Sequence, residues 1–301
     1  MGYVPSVPRF PMSTFFEVYI RFAWILLLSL GTLVMGQVAP PRPKFWDHAT
    51  IEQRDGRAWV RANDPRPLEQ ATEAIAKSYG WVVDYEDPPY GPADWVDNTD
   101  PAWRKAHPTE KGVHRVAGGM FEADFPLGSD MSAGSPDEER VLDKVVADYA
   151  ASGNPGQFEV KKEIAGRYAL VGVGAKDSNG RVKRSAPVLD TRISLAREER
   201  SAADTINLIA RLLSAKSGYN IEAGWMAVNL LNQTRVNLGG SEQPARELLM
   251  QVASATRFLM TWRLRYDVDW KGGTYFLGLE IATRTSKEGA REEPLKTVLK
   301  Q

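Results

Sequence analysis

The amino-acid sequence predicts an α+β chain built from two tandem βαββαββ-type domains, each with two helices packed against small mixed sheets. Three observations predict this class. Apolar residues recur at helical spacing in some windows and at a spacing of two in others. Glycines and an Asp-Ser-Asn-Gly turn mark the changes of period. The same order of seven elements runs through the chain twice, which a duplicated domain explains economically.

At the N-terminus, Phe22 to Gly36 (FAWILLLSLGTLVMG) is an almost uninterrupted apolar run preceded by Arg21. At ~15 residues it is short for a ~30 Å hydrocarbon layer and suits the h-region of a signal peptide. Val34 and Gly36 are small enough for the −3 and −1 positions, so residues 1–36 read as a signal cleaved after Gly36. An uncleaved inner-membrane anchor is the alternative, and the only membrane contact expected. Either way the rest of the chain is expected outside the cytoplasm, in the periplasm or otherwise exported. Pro40, Pro41 and Pro43 end the run, and residues 37–56 read as a Pro-rich linker.

The first domain is expected over residues 57–187. Arg57 to Asn63 reads as a strand, and Leu68, Ala71, Thr72, Ile75, Ala76 and Tyr79 form the apolar stripe of a helix. Gly80 ends it, and Trp81 to Tyr85 alternates like a half-buried strand. A strand from Gly119 to Leu127 precedes Ser135-Pro136-Asp137-Glu138, which reads as an N-cap Ser with Pro at N1 and Glu at N3. Leu142, Val145, Val146 and Tyr149 stripe the helix that follows. Strands Phe158 to Ile164 and Tyr168 to Gly174 come next, and Asp177 to Gly180 turns the chain into a strand beginning at Arg181.

The second domain is expected over residues 188–282. It opens with the strand Leu189 to Leu195, and Ser201 with Asp204 caps a helix striped by Ile206, Ile209, Ala210 and Leu213. Gly218 ends that helix. Tyr219 to Ala223 and Arg235 to Leu238 read as strands, and Ser241 with Pro244 opens a helix carrying Ala245, Leu248, Leu249 and Val252. Met260, Trp262, Leu264 and Tyr266 alternate with Thr261, Arg263, Arg265 and Asp267, so one face is expected in the core and the other in solvent. Lys271-Gly272-Gly273 turns this strand into Tyr275 to Ile281. Residues 283–301 are charged and without period, and are expected to be a disordered tail.

The stretch DTRISLAREERSAADTINLIARLLSAKSGYNIEAGWMAVNLLNQTRVNLGGSEQPARELLMQVASATRFLMTWRLRYD resembles the short N-terminal (STN, or N0) domain of secretins and TonB-dependent receptors. The pattern that carries the resemblance is a helix ending in a small-residue turn before an aromatic (Gly218, Tyr219), a strand, Val236-x-Leu238, then Ala245-x-x-Leu248-Leu249. The extended hairpin from Trp262 to Ile281 matches the end of that unit, and Leu68 to Tyr85 resembles its first half. The resemblance spans roughly a third of the chain. It implies a periplasmic interaction module with two helices between small sheets and no enzymatic activity. No secretin pore domain, plug or barrel follows, so a role inside a secretin or receptor is not carried over.

Composition narrows the chemistry. Thirty-eight Lys+Arg balance thirty-eight Asp+Glu, so no net field would gather nucleic acid, and none is expected as a partner. The chain has no cysteine, which removes disulfides, thiolate nucleophiles and Cys-ligated metals. Its three histidines are His48, His107 and His114, and no third ligand stands at a recognised spacing to make a metal site of His107 and His114. Gly172-Val173-Gly174 lacks the rest of a dinucleotide loop, and Gly240-Ser241-Glu242 lacks the nucleophile elbow. No catalytic residue, cofactor or metal is expected.

The long connection between Asp84 and Gly119 is the candidate site. It carries Pro88, Pro89, Tyr90, Asp94, Trp95, Asp97, Asp100 and Trp103. Loops beyond ~15 residues in compact domains are usually functional or disordered. Tyr90, Trp95, Asp97 and Trp103 are therefore expected to bind an envelope protein partner. Alternatively the aromatic and acidic residues suit a glycan, bound or processed by a carboxylate pair, or the aromatics form a lid on the sheet.

Overall fold

The computed structural model describes residues 48–127, 136–163, 167–285 and 292–296. The run from Phe22 to Gly36 and the proposed cleavage site lie outside them. Among the described residues no helix is long and apolar enough to cross a membrane.

The fold is α+β, and its two halves repeat the same plan. In the first, β2 (Arg57–Asn63) leads into α1 (Pro67–Tyr79) and β3 (Val83–Glu86), followed after the long connection by β6 (Met120–Pro126), α3 (Glu138–Ala151), β7 (Gln157–Lys162) and β8 (Tyr168–Lys176). In the second, β10 (Arg192–Ser201), α4 (Ala202–Ser217), β11 (Asn220–Met226), β12 (Arg235–Pro244), α6 (Ala245–Ser254), β13 (Met260–Asp267) and β14 (Thr274–Ile281) follow in the same order. A short helix, α5 (Val228–Gln233), lies between β11 and β12. The pairings repeat as well: β2 with β6 and β10 with β12 antiparallel, β3 with β8 and β11 with β14 parallel, β7 with β8 and β13 with β14 antiparallel.

Local chemistry explains the elements. Gly80 and Gly218 end α1 and α4 in the left-handed region, at φ 72° and 78°, where a side chain would be strained. Ser201 caps α4, accepting the amide of Asp204 at 3.0 Å and donating to its carboxylate at 2.7 Å. For α3 the cap is Asp137, which accepts from the amide of Arg140 at 3.1 Å, while the expected Ser135 lies outside the described residues. Ser241 does not cap α6. It lies in β12, which pairs with β10 through two register shifts as far as Pro244.

The expected linker and tail contribute strands. β1 (Thr50–Arg54) pairs with β2, and β15 (Thr283–Thr285) pairs with β16 (Glu292–Pro294), where Glu292 meets Lys77 of α1 at 2.7 Å.

The two halves meet within one sheet. Its order is β11-β14-β13-β3-β8-β7, with β9 (Val182–Arg184) on β8, so the seam is the parallel pair β13 and β3. The helices of the halves lie on opposite faces. Tyr85, Leu170 and Phe158 enter the core under α1 and α3, whereas Ala169 and Val171 from the other face of β8 join Trp262, Leu264 and Leu277 in the core under α4 and α6. Hence all of β3 is buried, rather than half-buried as its alternation suggests.

Candidate functional site

The long connection is pinned to the sheet rather than free. Gly172 of β8 admits it: a Cβ there would sit 2.1 Å from the Pro88 nitrogen, and one on Gly91 would sit 1.9 Å from the Lys176 carbonyl. Tyr90 is 4% exposed, and its hydroxyl donates to Asp87 at 3.1 Å. It is thus a core residue and offers no surface to a partner. Trp95 is half-buried, lies edge-on to Tyr90 at 5.6 Å, and donates through Nε1 to the Tyr90 carbonyl at 3.3 Å.

Beyond Trp95 the loop reaches solvent. β4 (Trp95–Asp97) pairs with β5 (His114–Val116), and α2 (Pro101–Ala106) lies between them in sequence. Asp97 is exposed and pairs with Arg104; the Thr99 hydroxyl and amide, with that guanidinium, hold its carboxyl below the usual range. Trp103 is 36% exposed and stacks on His107 at 4.8 Å. The structure therefore separates the four candidates into an inner pair, Tyr90 and Trp95, and an outer pair, Asp97 and Trp103.

The carboxylates of this loop serve the fold. Asp94 is buried and accepts from the amides of Lys176 at 2.7 Å and Gly91 at 3.3 Å. Burial pushes its carboxyl up, and those amides oppose the rise. His114 pairs with Asp269 at 2.9 Å, and His107 with Glu110 at 3.1 Å, so each imidazole has its own carboxylate. Among the described residues no group of three His, Cys, Asp or Glu could hold a metal ion.

The densest charge lies in the seam. Arg263 and Arg265 of β13 were expected in solvent, yet Arg263 is 8% exposed, and both bind Glu69 of α1, at 3.2 and 2.8 Å. Burial would raise Glu69, but the two guanidinium groups outweigh it and hold the carboxyl low. On the opposite face, Glu86 of β3 meets Arg246 of α6 at 2.6 Å, and Arg246 also reaches Glu163 and Asp190 at 3.2 and 3.0 Å. Asp84 binds Arg167 at 2.9 Å and accepts the Trp262 amide at 2.8 Å, while Asp87 binds Arg66 at 2.7 Å and accepts the Tyr266 amide at 2.8 Å. Each half thus supplies the counter-ion for a buried charge of the other.

A groove of about 510 Å³ borders this seam between α1 and β15. In its lining Lys77 lies between Glu73 and Glu292 at 3.0 and 2.7 Å, and Glu69 binds Arg265.

The surface that stands out is one sequence reasoning passed over. Trp225, near the end of β11, is 81% exposed; Val228, close by in sequence, and Trp270, in the turn before β14, are each 49% exposed. β11 ends the sheet, and among the described strands only β14 pairs with it. Phe276 of β14 stands beside Glu222 in register, and the Trp270 ring lies 6.1 Å from it and donates to Glu222 at 3.3 Å. Lys271 closes on Glu222 at 2.6 Å. The signal available in the sequence was Gly224-Trp225-Met226, a large aromatic beside glycine just past an otherwise regular strand.

The first half shows what such an edge can do. Counted from the capping glycines, β11 corresponds to β3, so Ile221 matches Val83 and Ala223 matches Tyr85; a register shift after Ala223 then places Trp225 on a bulge and Met226 opposite Leu279. In β3 that edge is closed by β13: the Asp87 amide donates to the Leu264 carbonyl at 2.8 Å. On the outer edge of β11, among the described residues, the Ser214 hydroxyl of α4 meets both the amide and the carbonyl of Ile221, at 2.8 and 3.1 Å. The period of two turns Ala223 to the same outer side. No family model matches the chain, and neither a curated protein nor a solved structure matches it.

Proposed function

We propose that the chain is a non-catalytic protein-interaction module of the cell envelope, carrying two copies of a domain of the secretin and TonB-receptor short N-terminal type. The observation that carries this reading is the edge of β11, where Trp225 stands 81% exposed beside a strand paired on one side. Edge strands accept further strands, and exposed tryptophans anchor interfaces. The order of elements within each half supports the family resemblance, and the Phe22 to Gly36 run supports export. Asp97 and Trp103, exposed on the long connection, offer such a partner a second surface.

Affinity capture from envelope extracts tests this reading. Wild-type chain should retain a partner that Trp225→Lys loses and Trp103→Ala keeps. The reverse pattern would move the surface to the long connection. Glycan hydrolysis abolished by Asp94→Asn or Asp97→Asn would replace the binding reading with an enzymatic one.

A further inference from the structure

The seam inside the molecule is a strand-to-strand contact between unlike edges. The second half offers the outer edge of its hairpin strand β13, and the first offers the outer edge of β3. Because the halves repeat one plan, each carries one edge of either kind. The seam uses one of each, and the remaining two end the sheet: β7, the counterpart of β13, and β11, the counterpart of β3.

Strand directions make these free edges compatible. β3 and β8 run parallel, β7 runs against them, and β13 runs with β3. β14 and β11 run against β13. So β7 and β11 point the same way, and a second copy shifted along the sheet in the same orientation would set its β11 parallel to β7. That is the sense of the β13 and β3 pair. The helices also fit, because each half keeps its own on one face and the faces alternate at every seam.

Side chains repeat the seam in part. Registers through β8 and β14 match Lys161 to Arg265 and Phe158 to Trp262, since Lys161 pairs with Ala169 and Arg265 with Phe276. On the other edge Glu222 takes the place of Asp84. Glu159 takes the place of Arg263, and Lys161 also meets Asp190 at 2.7 Å, so the charge pattern repeats only in part; Trp225 stands on the bulge of the edge whose counterpart the seam covers in the first half.

We propose that copies of this chain join head to tail, the β7 edge of one adding to the β11 edge of the next so that the sheet continues. This inference rests on the interaction reading and names a second copy as the partner. Contacts between unlike surfaces do not close into a dimer, and with the twist of the sheet they generate an open helical assembly. The seam ladder itself is short, with two register pairs, Arg263 with Tyr85 and Leu264 with Glu86, so the contact between copies depends on concentration.

Sedimentation velocity of the full chain, in a non-ionic detergent that masks the Phe22 to Gly36 run, tests it. Weight-average mass should climb past that of a dimer as concentration rises. Trp225→Lys alone should stay monomeric, and added to wild type it should shorten the assemblies, because it offers a sound β7 edge and no β11 edge. Lys161→Glu should behave as its mirror image, and the two variants mixed should stop at a one-to-one pair. Thermal melts check that each variant folds; if Lys161→Glu does not, termination by Trp225→Lys decides alone. A chain monomeric at every concentration, a dimer that survives Lys161→Glu, or association untouched by Trp225→Lys would each overturn the proposal. A monomeric chain that still loses a captured partner on Trp225→Lys would overturn head-to-tail pairing and leave the interaction reading standing.

Discussion

Arg246 is 4% exposed and carries three carboxylates, Glu86, Glu163 and Asp190. Its guanidinium also lies 5.0 Å from the Trp262 ring. Removing one partner of a buried pair leaves the others uncompensated, so Arg246→Ala should cost about 3–5 kcal/mol in denaturant unfolding. Burial pushes Glu163 from 4.5 up to about 7. Between those values the folded chain keeps a proton that the unfolded chain releases, so this group makes stability fall as pH rises through the window. Glu163→Gln should flatten that fall, leaving the variant more stable than wild type at pH 8 and close to it at pH 4. Burial raises Glu138 to about 7 as well, so the flattening is partial. Unfolding midpoints at the two pH values measure it. None of this was legible in the sequence, because a carboxylate or guanidinium on an amphipathic strand reads as solvated until its counter-ion is found on another element.

At the scale of elements, helix stripes and glycine caps were legible because they depend on neighbours three or four residues apart. Leu68, Ile75, Ile206 and Leu249 are each fully buried, as their spacing requires. The start of α6 was not legible, since Ser241 is as good a cap as a strand residue, and pairing with β10 decides between them. The long connection was legible as unusual but not in its placement. Its inner half follows a close approach at Gly172 that no period reveals. Gly172→Ala would bring a methyl to 2.1 Å from the Pro88 nitrogen, and should cost about 1–3 kcal/mol through displacement of that segment. Trp103→Ala, on the exposed turn, should change stability by less than about 0.5 kcal/mol. Thermal melts of the two variants give the comparison, and the opposite ranking would mean that α2 carries the lid.

For the whole molecule, the repeated order of elements was written in the sequence, while the seam was not. Asp84 and Glu86 on one strand and Arg263 and Arg265 on the other mark two amphipathic strands whose polar faces look outward when each half is taken alone. In the joined sheet Asp84, Glu86 and Arg263 are buried, and Glu86 and Arg263 each meet a helix of the other half. The pairing of β13 with β3 therefore joins the described residues of both halves into one unit. Heat or denaturant should unfold them in a single transition, coincident by circular dichroism and tryptophan fluorescence, and two separate transitions would mean independent domains. The functional account depends on one contrast, a closed edge on β3 and an open one on β11. Amide hydrogen exchange of the isolated chain, at concentrations below any association, measures it most directly. The Asp87 amide, bonded to Leu264, should exchange only through global unfolding, and the Ala223 amide should exchange orders of magnitude faster. Equal protection at the two positions would show that the β11 edge is already covered and would contradict the account.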